Sequence, residues 1–226
     1  MKPGYRMAAI LAATCFAATG LAQGFKFSQE DEAAVANEQE RQQAIDAWLS
    51  TPCRDQLKNR KIMLIIGERH SGGRVTANQQ NYRPHFETIN RRLRGLGLRT
   101  TTPEEVRKQV AQAEIDAYFK GDPDAALAAS RKFGAGFVLR GLIEDHATVN
   151  RIIQVNEVTV SMSFTLVDAN GRMISDASAQ GGSYAGSDTR SMAATLINEQ
   201  ADEVVAKLYG DYCAIAGLGE ARRRKP

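Results

Sequence analysis

"VTVSMSFTLVDANGRMISDASAQG", residues 158–181, decides the fold. Val158, Val160, Met162, Phe164 and Leu166 alternate with Thr159, Ser161, Ser163 and Thr165, the period of a strand with one buried and one wet face. Asp168-Ala169-Asn170-Gly171 then turns the chain, Asn-Gly supplying the positive φ angles of a tight hairpin, and "RMISDASAQG" (172–181) returns antiparallel. Just upstream, "FVLRGLIEDHATV" (137–149) reads as another strand. Downstream, Ser187 opens a long helix whose core stripe is Met192, Leu196, Val204, Val205, Leu208 and Tyr212.

The first half has a different rhythm. After Pro52 the apolar run Ile62–Ile66 is long enough for a buried strand and too short for an ordinary helix. "PHFETINRRLRGLG" (84–97) puts Phe86, Ile89, Leu93 and Leu96 on one helical face before Gly97 stops it, and a short strand is expected at Leu98–Thr101. Thr102-Pro103-Glu104-Glu105 is a capped helix start with Glu105 placed for a capping box, and Asp122-Pro123 repeats the signal for a helix ending at Gly134. Helical crossovers favour parallel neighbours and hairpins antiparallel ones. The expectation is therefore one α/β (α+β) domain: a mixed β-sheet with a carboxy-terminal three-strand antiparallel meander and helices packed against it. Ahead of it, "NEQERQQ" (37–43) is polar throughout, and only Ile45, Trp48 and Leu49 of this first helical segment are spaced to touch a core.

The chain opens with Lys2 and Arg6 before a small apolar run ending in Gly20-Leu21-Ala22, the pattern of a secretory signal cut after Ala22. Thr14 before Cys15 fits the lipid-attachment box poorly, and the run falls short of the ~20 residues needed to span a bilayer, so neither a lipid anchor nor a membrane span is expected. The resulting division is 1–22 signal peptide, 23–52 amino-terminal helical extension, 53–213 mixed α/β domain and 214–226 basic disordered tail. Export leaves Cys53 and Cys213 as an even pair, read as a disulfide; two separate thiols are the alternative. Such a bridge closes a long loop, for which chain entropy gives about 4–5 kcal/mol.

The signal carries two of the 29 basic residues, leaving 27 against 26 acidic ones, and that balance gives no case for nucleic acid. The "ARRRKP" end (221–226) is the one basic cluster, a frayed tail or a weak contact with an anionic surface. No cofactor is expected. In "KIMLIIGERHSGGRV" (61–75) Gly67 and Gly72 have P-loop separation, but Gly73 stands where the Lys belongs and Arg74 where the hydroxyl belongs. This stretch reads as a mobile, exposed recognition loop with Arg69, His70 and Arg74 as partner-binding residues; an anion site is the alternative. His70, His85 and His146 lack metal-ligand spacing; His70 with Glu68, and His146 with Glu144 and Asp145, could converge where strands end, but two polar turns account for them as well. No nucleophile elbow is present, so no catalytic residue is assigned.

"KIMLIIGERHSGG" before a helix, "AASRKFGAGFVLRGLIED" (128–145) across a helix-to-strand junction, and "VSMSFTLVDANGRMISDASAQG" (160–181) before a long helix resemble a family of bacterial envelope domains. It includes the curli-secretion lipoprotein, the lipoprotein activators of penicillin-binding proteins, a periplasmic flagellar assembly protein and the amino-terminal domain of the Tol translocation protein. The resemblance implies a non-enzymatic periplasmic domain that binds envelope proteins. The curli pore inserts long membrane-spanning hairpins in this strand region, whereas the connection around Ala147–Arg151 reads as short and polar, which speaks against a pore. Two other readings stay open, a binder of a small ligand or cell-wall fragment and a hydrolase; a closed pocket holding Arg69, His70 and Glu144 would favour them.

Overall fold

The computed structural model describes residues 29–69, 73–77 and 83–216. In chain order these form α1 (Gln29–Leu49), α2 (Arg54–Leu57), β1 (Lys61–Arg69), β2 (Val75–Thr76), α3 (Arg83–Gly95), β3 (Arg99–Thr100), α4 (Pro103–Gln109), α5 (Gln112–Phe119), α6 (Pro123–Phe133), β4 (Phe137–Asn150), β5 (Val155–Asp168), β6 (Met173–Ala185) and α7 (Thr189–Ile215). The expected signal peptide, residues 217–226 of the expected tail and His70 lie outside the described residues. Among the described residues no helix is long and apolar enough to cross a membrane.

The six strands form one mixed sheet in the order β2-β1-β4-β5-β6, with β3 beside the start of β1. β1 is parallel to β3 and β4, while β1/β2, β4/β5 and β5/β6 are antiparallel. The sequence dictates the layering. β1 is apolar at every position from Ile62 to Ile66 because both of its faces are covered. Leu64 and Ile66 join the larger core under α3 and α7, and Met63 and Ile65 join a smaller one with Val106, Ile115 and Phe133 of α4–α6. β5 alternates because only one of its faces is covered: Val158, Val160, Met162 and Phe164 are buried, with Thr159, Ser161 and Ser163 exposed between them.

The helix starts follow their signals. Thr102 and Glu105 form the expected capping box. The Asp122 carboxylate accepts from the Asp124 and Ala125 amides, and Gly134 ends α6 in the left-handed region. Several details differ from the sequence reading. The helix expected after Thr102 breaks at Val110–Ala111 into α4 and α5. The cap of α7 is Asp188, whose carboxylate accepts from Ser191, rather than Ser187. At the β5–β6 turn only Gly171 has a positive φ; Asp168 pairs with Arg172 across three residues, and its side chain also accepts from Asn170. The turn is thus a three-residue loop closed by a left-handed glycine. The connection after Ala147 is also corrected: β4 runs on to Asn150, the turn is Arg151–Gln154, and it carries two exposed isoleucines.

Cys53 and Cys213 are bonded, their Cα atoms 5.7 Å apart across 160 residues of chain. Beside them Tyr209 is buried, its hydroxyl donating to the Thr51 carbonyl and accepting from the Cys53 amide at 3.0 Å. α3 is tied to α7 by Arg92, whose guanidinium donates to both carboxylate oxygens of Asp202 at 2.6 and 3.0 Å and to the Asn198 carbonyl at 2.6 Å. The chain falls into two compact units, 1–37 and 38–226. Of the first, the described part is the amino-terminal half of α1, exposed from Glu32 onward. In the second, α1 reaches the core at its last turns through Ile45 and Trp48, as its spacing predicts.

Candidate functional site

α4–α6 shield the sheet over β1, the start of β4 and the end of β5, where Val167 packs against the smaller core and Arg140 lies over the Tyr118 ring at 5.5 Å. Burial pushes the Tyr118 hydroxyl up, against the weaker pull of the Arg140 cation. Beyond that point the same face of β4, β5 and β6 is open. Strand register lines it with polar rows: Glu144 beside Ser161 beside Gln180, then His146 beside Thr159 beside Gly182. These six residues rim a shallow open depression of about 460 Å³.

Arg69, the last residue of β1, reaches Glu144 Oε2 at 3.9 Å, while His146 Nε2 lies 2.9 Å from Glu144 Oε1. One carboxylate thus has a cation on either side once His146 is protonated, all on a surface from which water is not excluded. Arg74 sits elsewhere, in a second open groove of about 670 Å³ between the β2 segment and α5, with Thr76, Gln112, Asp116 and Lys120. There the Gln112 amide donates to Asp116 at 2.8 Å.

The sequence-predicted trio is therefore divided. Arg69 belongs to a strand rather than a loop, since Arg69 and Val75 are paired in a β1–β2 hairpin. Arg74 faces a different groove, and His70 lies outside the described residues. Glu144 and His146 lie within the stretch 137–149 read as a strand, not in a polar turn at its end, and share one face with Asp145 on the other. The period-two spacing of Leu142, Glu144 and His146 was the signal that would have shown this. On the opposite side, at the start of α3, burial holds the His85 imidazole below its usual value while Glu68 and Asp145 pull the other way. Among the described residues no group of three His, Cys, Asp or Glu side chains is placed to hold a metal ion.

No family model and no curated protein matches the chain. Solved structures with a similar course include a hypothetical protein, CT253, from Chlamydia trachomatis (17% identity, TM-score 0.48, covering 70% of this chain and 99% of that one). Lipoprotein GNA1162 from Neisseria meningitidis is similar at 18% identity and a TM-score of 0.43, over 62% of this chain and 96% of that one. The LpoB C-terminal domain from Salmonella enterica is similar at 18% identity and a TM-score of 0.34, over 59% and 93%. All three lie below a TM-score of 0.5, so the functional reading rests on this chain's own residues.

Proposed function

We propose that this chain is a non-enzymatic periplasmic adaptor of the bacterial cell envelope, exported with cleavage after Ala22, that holds a partner protein against the open face of its meander. The observation that carries the reading is the Arg69–Glu144–His146 row on a shallow, uncovered sheet surface. Small-molecule sites are concave and enclose most of their ligand. The two depressions here are open, and charged groups on them are arranged to set the orientation of a large surface laid across them. Arg74 lines a separate open groove beside the β1–β2 hairpin, a second surface for the partner.

Capture of partners from periplasmic extract by the tagged chain tests this. Replacing Arg69, His70 and Arg74 together by Ala should weaken capture and leave the melting temperature nearly unchanged, because the exposed Arg69 and Arg74 side chains each contribute within about 0.5 kcal/mol. Micromolar binding of a nucleotide or a cell-wall fragment by calorimetry, lost in the same variant, would replace the adaptor by the small-ligand reading.

A further inference from the structure

The β4–β5–β6 meander runs well past β1, with β5 and β6 still paired at Asn156–Ala185. Glu68 beside Ile143 is the last rung that β1 shares with β4, yet β4 continues to Asn150, roughly 20 Å farther. At its apex Ile152 is 91% exposed, Ile153 52% and Val149 58%. Branched aliphatic side chains this exposed on a turn do no packing within the chain.

The turn that carries them is closed on itself. The Asn150 side chain accepts from the Ile152 and Ile153 amides at 3.0 and 3.4 Å, and the Asn150 carbonyl accepts from the Gln154 amide at 2.8 Å. The Gln154 side chain donates back to the Arg151 carbonyl at 2.7 Å, with Gln154 itself at φ +56°. Backbone groups so engaged lose little when water is withdrawn, which is the condition for entering a medium that offers no hydrogen bonds in return.

We infer that this apex is a shallow contact with a lipid surface: Ile152 and Ile153 enter the boundary between headgroups and acyl chains while Arg151 meets anionic headgroups. Of the Trp, Tyr and Arg that dominate protein hot spots, the apex carries only Arg151. An aliphatic apex beside a cation suits an interfacial membrane contact, where apolar burial and attraction to anionic lipid add. The arm also limits the depth. The Thr148–Glu157 rung lies two residues behind the last rung, Asn150–Val155, and the Glu157 carboxylate about 7 Å back stays in water. A spanning strand needs about 9–11 residues, so the apex dips and does not cross.

The test uses the full chain and vesicles of phosphatidylethanolamine and phosphatidylglycerol. Changing Ile152 and Ile153 together to Ser should lower vesicle partitioning by about tenfold without moving the melting temperature. An Ile152→Trp chain should gain emission that brominated acyl chains quench, read against the single native tryptophan, Trp48. Equal partitioning of wild type and the Ser variant overturns the inference. So does an Ile152→Trp chain whose emission ignores brominated lipid but shifts when a protein partner is added, which would make the apex a protein-docking knob.

Discussion

Trp48 lies against Gly210 so closely that a Cβ built on the glycine would stand 2.5 Å from Cδ1 of the indole. Gly210 is therefore where α7 lets the end of α1 approach. A Gly210→Val change should destabilise the protein by about 2 kcal/mol, overpacking outweighing the gain in helix propensity. In a Trp48→Ala background the same change should cost much less, and urea unfolding of the four chains of this cycle measures the difference.

Replacing Cys53 and Cys213 together by Ser should lower stability by about 2–5 kcal/mol, since a loop of 160 residues is released in the unfolded state. Unfolding of the wild type with and without reductant checks this: reductant should shift the wild-type midpoint and leave the double variant unmoved.

Arg92 holds α3 to α7 through a fork of hydrogen bonds to Asp202 and the Asn198 carbonyl, its side chain mostly buried. Arg92→Ala should cost about 1–2 kcal/mol. Arg92→Lys should recover only part of that, because an ammonium cannot reproduce the planar fork. Thermal unfolding of both variants reads the result.

His85 is held below the ordinary value of 6.5 by burial, against the smaller opposing pulls of Glu68 and Asp145. The unfolded chain therefore takes up a proton at this site more readily than the folded one. Its contribution is fully present above the unfolded-state value and is lost as pH falls through that value toward the folded one. The urea midpoint should drop between pH 7 and pH 5 by more in the wild type than in His85→Gln. Equal drops would assign the loss to carboxylates instead.

The meander was legible because β5 has one wet face, so each of its residues states which side it occupies. The break between α4 and α5 was not: Val110 and Ala111 carry no Gly or Pro, and helix termination there is set by packing, with Val110 buried in the smaller core. The capping box of Thr102 and Glu105 was read from local chemistry because both partners lie within one turn. The candidate surface was less legible. Arg69 meets Glu144 only because β1 and β4 are parallel neighbours in a particular register, and no local pattern states which strands pair. The exposed isoleucines were hidden for the opposite reason, since apolar residues in sequence suggest burial until a turn is seen to hold them outside.

The closing bond between Cys53 and Cys213 also decides how the molecule answers to force. Tension entering before Cys53 and leaving after Cys213 travels through one covalent link and bypasses the chain between them, a sequence separation of 160. In a pulling experiment the oxidised chain should extend only by its flanking segments, leaving the sheet and its projecting arm unloaded. Reduction should release a further contour length of roughly 550 Å at 3.3–3.6 Å per residue, turning a mechanically shielded body into one that gives way strand by strand.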